Sequence, residues 1–142
     1  MTTRSHVVHL DGPDKVGKDT LRDAIIKVTN GEVLVFVRTH ISQIVYSRLY
    51  NRQIEEQFFI DDMKHLQDLG HKFFYLKANL DTIKNRCIQH HEIDVNIADL
   101  EEHIRMFDRV VTELRHSGMT IFELYTDTSV VKTLSEFLAS LL

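Results

Sequence analysis

Residues 11–20 read DGPDKVGKDT and directly follow a short apolar run, HVVHL, at positions 6–10. The segment has the spacing of a phosphate-binding loop, G-x-x-x-x-G-K-[ST], with Gly12, Gly17 and Lys18 in register. Such a loop joins a strand to a helix, and its glycines let backbone N–H groups turn toward an anion. One position departs from the pattern, because Asp19 stands where a serine or threonine hydroxyl normally holds magnesium. The stretch therefore predicts a strand, a phosphate-binding loop and a helix.

The spacing of apolar residues predicts strands that alternate with helices along the whole chain. We expect strands over 6–10, 33–37, 73–76 and 120–124, and helices over 18–29, 41–50, 54–69, 80–89, 97–114 and 131–141. The run VLVFV at 33–37 is continuous and β-branched, so we expect that strand to be buried on both faces. This alternation is typical of an α/β fold with a parallel sheet between two helical layers, whose ligands bind at the carboxyl ends of the strands.

Composition bounds the class of protein. The 142 residues fit a single domain over 1–142, and 43% hydrophobic with 27% charged residues is ordinary for a soluble globular protein. No long apolar run and no signal peptide are visible, and Cys87 is the sole cysteine, so we expect a cytoplasmic protein without an internal disulfide. The net charge of −4 gives no global attraction to nucleic acid, although Arg38, Arg48 and Arg52 could form a local basic groove. The nine histidines show no zinc-site spacing.

The loop region resembles thymidylate kinases and related P-loop deoxynucleotide kinases, whose loop commonly reads acidic-G-x-D-x-x-G-K-x-T. Asp11, Asp14 and Thr20 match this pattern together with the glycines. The resemblance implies an ATP-dependent phosphotransferase with the three-layer P-loop fold. In that family the acid at the position of Asp14 reaches the acceptor sugar 3′-hydroxyl, and some members place a basic residue at Lys15 that neutralises the transferring phosphate. The implied ATP-binding residues are Gly12, Pro13, Asp14, Lys15, Val16, Gly17, Lys18, Asp19 and Thr20.

A second match lies in residues 37–47, VRTHISQIVYS, which resemble the family pattern D-R-[YH]-x-x-S-x-x-A-Y-Q. Arg38, Ser42 and Tyr46 are in register, and the form also resembles small kinase-like proteins of viral and bacterial genomes. The resemblance implies that Arg38 clamps the acceptor phosphate, that Ser42 belongs to the substrate site and that Tyr46 packs near the sugar or base. We expect Arg48, Tyr50 and Arg52 to line the same cleft. From spacing alone, the two tyrosines equally fit one core-facing side of a helix.

A weaker match is the segment 86–92, RCIQHHE, which resembles an arginine-bearing lid of the pattern R-x-x-x-R-G-D. Arg86 takes the place of the first arginine, His90 replaces the second, and the glycine is missing. Lys84 and His91 are alternative lid cations, and a solvated helix face accounts for Arg86 equally well.

Two departures from the family change the expected site. Val37 replaces an acid that helps to hold the metal, while Asp19 has appeared at the helix start. We hypothesise that Asp19 holds Mg²⁺ in its place, with Thr20 as the other candidate ligand, although a first-turn acid favoured by the helix dipole accounts for Asp19 as well. The chain between Lys18 and Arg38 is also too short for the family's second strand, so we expect four strands in the order 2-1-3-4, an open acceptor side and an exposed sheet edge that makes a homodimer possible.

The resulting prediction is transfer of the ATP γ-phosphate to a deoxynucleotide acceptor, as in a deoxynucleoside monophosphate kinase. Lys18 and the loop amides hold the donor, Lys15, Arg38 and Arg86 neutralise the transferring group, and Asp14 orients the acceptor hydroxyl or serves as its base. The donor adenine could lie against residues 125–128, or Asp127 or Thr128 could simply cap the last helix. The alternatives are a kinase acting on a hydroxyl of a nucleotide within DNA and a catalytically inactive nucleotide-binding module.

Overall fold

The computed structural model of the chain describes residues 6–89 and 97–141. All pairings in its four-stranded sheet are parallel, and the strand order is β2-β1-β3-β4, which confirms the predicted order. The strands are β1 (His6–Asp11), β2 (Val33–Val37), β3 (Lys72–Lys77) and β4 (Ile121–Tyr125). The helices are α1 (Lys18–Thr29), α2 (His40–Leu49), α3 (Glu56–Asp68), α4 (Leu80–Gln89), α5 (Ile97–His116) and α6 (Val130–Ser140). The predicted α/β class is confirmed as well.

The sheet lies between two helical layers because its strands alternate their side chains between two apolar clusters. One cluster joins β1, β3 and β4 to α1 and α6, and it includes Leu10, Phe74 and Phe137. The other joins β3 and β4 to α2, α3 and α5, and it includes Tyr75 and Phe107. Within the described part of the chain, none of the helices combines the length and the apolar character needed to cross a bilayer.

The prediction that β2 is buried on both faces is wrong. Val33 is buried and Val35 and Val37 pack into the cluster with α1, but Leu34 is 51% exposed and Phe36 43% exposed. The physical reason is position: β2 is an edge strand, and the apolar cluster of α2, α3 and α5 packs on β3 and β4, away from it. The prediction of a homodimer stays a prediction that this edge supports.

The last helix begins differently from the prediction. Ser129 is the N-cap of α6, and its hydroxyl accepts a hydrogen bond from the Lys132 N–H at 3.3 Å. Asp127 instead accepts from the Asn79 N–H at 2.8 Å, so it joins the loop after β3 to the loop after β4. The alternative that Asp127 or Thr128 caps this helix is therefore wrong, because Ser129 is the cap and a longer-range partner holds the carboxylate of Asp127.

His9 is a polar side chain inside the sheet face that α2 and α3 cover. It is 4% exposed, and its ring stacks on Phe73 with centroids 4.5 Å apart and on Phe36 at 5.4 Å. Burial, together with the neighbouring His40 and His71, lowers the pKa of His9 to about 4. The imidazole is therefore neutral at physiological pH.

This burial predicts a loss of stability in mild acid. The unfolded chain binds a proton at His9 near the ordinary histidine pKa of 6.5, whereas the folded chain binds it only near pH 4. Between these values the unfolded state holds more protons, so stability falls as the pH falls. We expect His9 alone to lower the free energy of unfolding by about 2 kcal/mol between pH 7 and pH 5.

Urea unfolding at the two pH values measures this contribution. His9→Asn, which cannot titrate, should lose about 2 kcal/mol less than the wild type over that interval. His65→Gln, on the exposed side of α3, is the matched control because it removes a histidine without touching the core. Equal losses in the wild type and His9→Asn would contradict the prediction.

Candidate active site

The predicted phosphate-binding loop connects the carboxyl end of β1 to the first residue of α1. Gly12 lies so close to β3 that a Cβ there would meet the Leu76 carbonyl oxygen at 2.6 Å and Val16 Cγ1 at 3.1 Å. Lys15 and Gly17 have left-handed backbone conformations, with φ values of 63° and 102°. Left-handed residues are part of the geometry in which successive N–H groups form an anion-binding concavity. The loop and the start of α1 therefore suit a phosphate.

The close approach at Gly12 predicts that Gly12→Ala destabilises the protein by about 3 kcal/mol, because the added methyl group meets backbone. Gly118→Ala is the control, since Gly118 has a φ of 104° but open space around its Cα. Gly118→Ala should lower the free energy of unfolding by only about 1 kcal/mol, because alanine is disfavoured in the left-handed backbone conformation. Urea unfolding of both variants measures the difference, and an equal loss in the two would refute the steric explanation.

Lys18 lies in the floor of the loop and is 4% exposed. Its Nζ donates to the Gly12 carbonyl oxygen at 2.5 Å and to the Pro13 carbonyl oxygen at 2.9 Å. Burial lowers the pKa of Lys18 to about 8, and the charge of Asp14 opposes this shift. The ammonium is thus charged at neutral pH, and a phosphate oxygen can replace the loop carbonyls as its acceptor.

The loop forms one wall of a cavity of about 670 Å³ at the carboxyl ends of the strands. This volume is in the range of pockets that bind small molecules. The other walls come from the residue after β2, from α4, from the segment between β4 and α6 and from the start of α6. The lining residues are Asp14, Lys15, Gly17, Lys18, Asp19, Thr20, Leu21, Arg38, Arg86, Gln89, Thr126, Thr128, Val130 and Thr133. Every residue predicted as catalytic or metal-binding is thus brought to one cleft.

Two of these residues, Asp19 and Arg38, form an ion pair across the cleft mouth. Arg38 Nη1 donates to Asp19 Oδ1 at 3.3 Å and Nη2 donates to Oδ2 at 3.1 Å, while Arg22 Nη1 lies 3.2 Å from the same Oδ1. The hydrogen bonds from Arg38 hold the pKa of Asp19 below its ordinary value, so the carboxylate is ionised. Both side chains are about half exposed, and such pairs contribute little stability, so a ligand can separate them.

The donor set near the loop fits magnesium in its usual mode. Asp19 offers a carboxylate and Thr20 a hydroxyl, and both residues line the cleft. Magnesium typically takes one or two protein carboxylates and completes its shell with phosphate oxygens and water. Among residues 6–89 and 97–141, no cluster of three or more acid, histidine or cysteine side chains could hold a metal by itself. Val37, at the position of the family's acid, packs in the apolar cluster of α1 and offers no ligand.

Arg86 extends from α4 across the phosphate-binding loop. Its Nη1 donates to the Lys15 carbonyl oxygen at 2.9 Å and to Thr126 Oγ1 at 3.3 Å, and its Nη2 donates to the Thr126 carbonyl oxygen. The guanidinium therefore fastens the loop to the end of β4 while it lines the cleft. The other lid residues of the sequence prediction, His90, His91 and Glu92, lie outside the described residues.

The structure places two of the predicted substrate residues, Ser42 and Arg48, outside the cleft lining. Ser42 is 3% exposed, and its Oγ donates to the Asp11 carboxylate at 2.6 Å. Arg48 donates to Glu56 at 2.8 and 3.0 Å and to Glu113 at 2.6 Å, which joins α2 to α3 and α5. Both side chains are committed to partners within the fold and do not line the cleft. Sequence pattern could not reveal these partners, because Asp11, Glu56 and Glu113 lie on other elements than the helix that carries Ser42 and Arg48.

The tyrosine pair on α2 divides between core and solvent. Tyr46 and Tyr50 stack with centroids 6.1 Å apart, and Tyr46 also packs edge-on against Phe107. The Tyr46 hydroxyl is buried without a hydrogen-bond partner among the described residues, and burial with the nearby charge of Asp14 raises its pKa. Tyr50 is 55% exposed, and the Arg52 guanidinium lies 5.5 Å from its ring centre. The core-facing interpretation thus fits Tyr46, whose hydroxyl also lies near the loop acid.

The role of Asp11 was not predicted from the sequence, where this residue matched the loop pattern only by resemblance. Asp11 is fully buried and accepts hydrogen bonds from the N–H groups of Thr39 and Ser42 and from both of their hydroxyls, at 2.6–3.2 Å. Its position could have indicated the role, because an acid at the end of an apolar strand is buried and a buried carboxylate requires hydrogen-bond donors. Asp11 thereby ties the residues after β2 to the base of the phosphate-binding loop.

Comparison with known proteins gives the fold and nothing finer. No family model matches the chain, and no curated protein matches its sequence. The crystal structure of the YorR protein from Bacillus subtilis, in complex with phosphorylated GDP, superposes with a TM-score of 0.80 at 15% identity over 95% of both chains. Deoxyadenosine kinase from M. mycoides superposes with a TM-score of 0.67 at 10% identity with dCTP bound, and 0.64 at 13% with dATP bound, in both cases over 95% of this chain and 98% of the kinase. At these identities the likeness concerns architecture: this chain has the P-loop kinase-like fold.

Proposed function

We propose that the protein is a magnesium-dependent kinase that transfers the γ-phosphate of ATP to a deoxynucleotide, most simply a deoxynucleoside monophosphate. The observation that carries the proposal is the convergence of Lys18, Arg38 and Arg86 on one cleft beside a phosphate-binding loop. Phosphoryl transfer requires mainly positioning and neutralisation of charge, and these cations provide both. Solved structures of the same fold include a deoxynucleoside kinase, which supports this class of reaction.

On the donor side, the loop amides, the start of α1 and Lys18 bind the β- and γ-phosphates. Magnesium, held by Asp19 and Thr20, would neutralise charge on these phosphates. Arg86 approaches the loop from α4, where it can donate to the transferring group, and Lys15 lines the same wall. Thr126 and Thr128 line the side that the donor adenine would reach.

On the acceptor side, Arg38 leaves Asp19 and binds the acceptor phosphate through two parallel N–H groups. An oxygen of that phosphate attacks the γ-phosphorus as the bond to the ADP oxygen breaks. Because the attacking oxygen is already ionised, the step needs no general base. Asp14, exposed at the cleft mouth, orients the acceptor by accepting from its sugar hydroxyl.

The alternative substrate, a nucleotide within DNA, draws support from the exposed Tyr50 and the adjacent Arg52, which together could stack a base. The ion pairs of Arg48 argue against DNA as the substrate. A basic groove would need the charge of Arg48, but Glu56 and Glu113 neutralise it. The cavity of about 670 Å³ also suits a free nucleotide. We therefore favour the free nucleotide and treat DNA as an outcome of the test.

The test is magnesium-dependent ATP turnover by the purified chain with a panel of deoxynucleosides, deoxynucleoside monophosphates, and single- and double-stranded DNA. We expect turnover with one or more monophosphates and none with DNA. Turnover with DNA alone would replace the acceptor in our proposal. ATP binding without turnover on any acceptor would instead favour a nucleotide-binding module that lacks catalysis.

The metal hypothesis makes a separate prediction. Asp19→Ser restores the common loop residue but removes the carboxylate, and Val37 supplies no second one. We expect turnover to fall about 10-fold and the magnesium concentration for half-maximal activity to rise, since a carboxylate binds this ion more strongly than a hydroxyl. Asp23→Asn is the control, because Asp23 is an exposed acid of α1 outside the cleft wall. Full magnesium-dependent turnover in Asp19→Ser would rule the hypothesis out.

A further inference from the structure

Four side chains form a continuous hydrogen-bonded chain from the protein surface to the base of the phosphate-binding loop. His71 Nδ1 lies 3.0 Å from His9 Nε2, and His9 Nδ1 lies 3.2 Å from Thr39 Oγ1. Thr39 Oγ1 in turn donates to Asp11 Oδ2 at 3.2 Å. His71 is partly exposed, whereas His9 and Asp11 are 4% and 0% exposed. The proposed transfer step uses none of these four side chains, which we call the His71–Asp11 chain.

The contacts fix a direction for the protons along this chain. Burial raises the pKa of Asp11, but its two oxygens accept from four donors at 2.6–3.2 Å, the N–H and hydroxyl groups of Thr39 and Ser42, and on this geometry we assign the carboxylate as ionised. Thr39 then donates to Asp11 and must accept from His9 Nδ1–H. Because the buried ring of His9 is neutral, its Nε2 carries no proton and accepts from His71 Nδ1–H. A neutral His9 with its proton on Nδ1 satisfies all three contacts, and burial disfavours the imidazolium, the other form that would satisfy them.

The surroundings of His9 keep it in that state. Phe36 and Phe73 stack on its two sides, and His40 of α2 presents its ring at 5.8 Å between centroids. His40 is itself held by Asp62 of α3, at 2.5 Å between Nε2 and Oδ2. The titratable groups that face His9 are thus His40, His71, Asp62 and, through Thr39, Asp11. The depressed pKa of His9 agrees with a neutral ring above pH 4.

At its inner end the chain holds the backbone on which Arg38 sits. Thr39 occupies the N-cap position of α2, but its own side chain accepts no hydrogen bond from the first turn of the helix. The Asp11 carboxylate is the acceptor instead, and it receives hydrogen bonds from the N–H groups of Thr39 and Ser42 at 3.0 and 3.2 Å. On the other side, the Arg38 N–H donates to the Leu10 carbonyl oxygen at 3.2 Å. Arg38 has a left-handed φ of 57°, which an arginine keeps only where the surroundings over-determine it.

We propose that the His71–Asp11 chain positions Arg38 for the acceptor phosphate, with His9 and Asp11 as positioning residues that never touch the substrate. The inference rests on the proposed function for the role of Arg38. Each hydrogen bond orients the next, so that a histidine on β1 restrains Thr39, Thr39 and Asp11 restrain the start of α2, and the turn between β2 and α2 keeps the arginine in the cleft. Loss of one link should weaken acceptor binding and leave donor binding in place.

Two substitutions of His9 separate positioning from packing. His9→Phe keeps a stacked ring but gives Thr39 no donor, while His9→Asn places an amide N–H near the position of His9 Nδ1. We expect His9→Phe to raise the KM for the deoxynucleoside monophosphate about 10-fold, with kcat and the KM for ATP within about 2-fold of wild type. His9→Asn should recover most of the acceptor KM. An unchanged acceptor KM in His9→Phe, with an active wild type, overturns the inference and leaves the proposed function standing.

An NMR readout keeps the inference testable if the wild type turns over no acceptor, which would refute the proposed function. At pH 7 the imidazole nitrogen spectrum should assign His9 as neutral with its proton on Nδ1, and a proton on Nε2 overturns the chain as assigned. The Thr39 N–H should exchange at least 10-fold faster with solvent in His9→Phe than in the wild type or in His9→Asn. Equal protection in all three proteins means that His9 does not restrain this turn and also overturns the inference.

Discussion

Lys18→Ala is expected to lower magnesium-dependent phosphoryl transfer about 10³-fold, the size of effect found when one preorganised donor is removed from a charged transition state. Lys18 is buried in the loop floor, and its ammonium lies against the carbonyl oxygens of Gly12 and Pro13. The two arginines of the cleft come from other elements, Arg38 from the residue after β2 and Arg86 from α4, and Lys15 is only partly buried, unlike Lys18. Nucleotide binding should weaken in parallel.

Steady-state turnover and equilibrium binding of ATP measure the two effects. Lys27→Ala is the matched control, since Lys27 lies in the last turn of the same helix and away from the cleft. Urea unfolding of both variants checks that the fold is intact. If Lys18→Ala retained more than about a tenth of wild-type transfer, the loop would not be the donor site as we assign it.

Arg38→Ala is expected to lower kcat/KM for the acceptor about 100-fold while the KM for ATP changes little. Arg38 is the arginine that resemblance assigns to the acceptor phosphate, and the structure places it on the cleft wall within reach of Asp19. Arg38→Lys should recover only part of the loss, because an ammonium cannot make the two parallel contacts of a guanidinium. Acceptor titrations at saturating ATP measure the effect.

Arg22→Ala distinguishes the pairing of Arg38 with Asp19 from its proposed binding of the acceptor phosphate. Arg22 also pairs with Asp19, at 3.2 Å, but it does not line the cleft. If loss of an arginine from Asp19 were the cause of the defect, Arg22→Ala would reproduce it. We expect the kcat/KM of Arg22→Ala for the acceptor to stay within about 3-fold of the wild-type value. A loss of kcat/KM equal to that of Arg38→Ala would contradict the acceptor role of Arg38.

The fold was accessible from the sequence because its determinants are local. The glycine loop, the helical spacing after Lys18 and the four apolar runs each depend on neighbours within a few residues. The strand order is not local, and it was predicted only through the resemblance. The error at β2 has the same origin, since VLVFV specifies a strand but cannot say that it lies at an edge. Burial of Leu34 and Phe36 would need a neighbour that only the tertiary structure could supply.

The residues of the site could be predicted from the sequence where a single motif contains them. Lys18, Arg38 and Arg86 meet in the cleft because each lies at or just beyond the end of a strand or helix that the topology directs there. The partners of Ser42 and Arg48 were not predicted, because the sequence of a helix does not say whether its serine or arginine faces a ligand or a carboxylate. Their partners, Asp11 in one case and Glu56 with Glu113 in the other, come from other elements.

The most direct test of the central claim is to follow the phosphorus atom itself. ATP labelled in its γ-phosphate is incubated with the chain, magnesium and a deoxynucleoside monophosphate, and the labelled products are separated. We predict that the label appears as the terminal phosphate of the deoxynucleoside diphosphate, in equal amount to the ADP formed, and that Lys18→Ala abolishes both products. Label recovered only as inorganic phosphate, or ATP left intact beside every acceptor, would contradict the assignment of this cleft as a nucleotide kinase site.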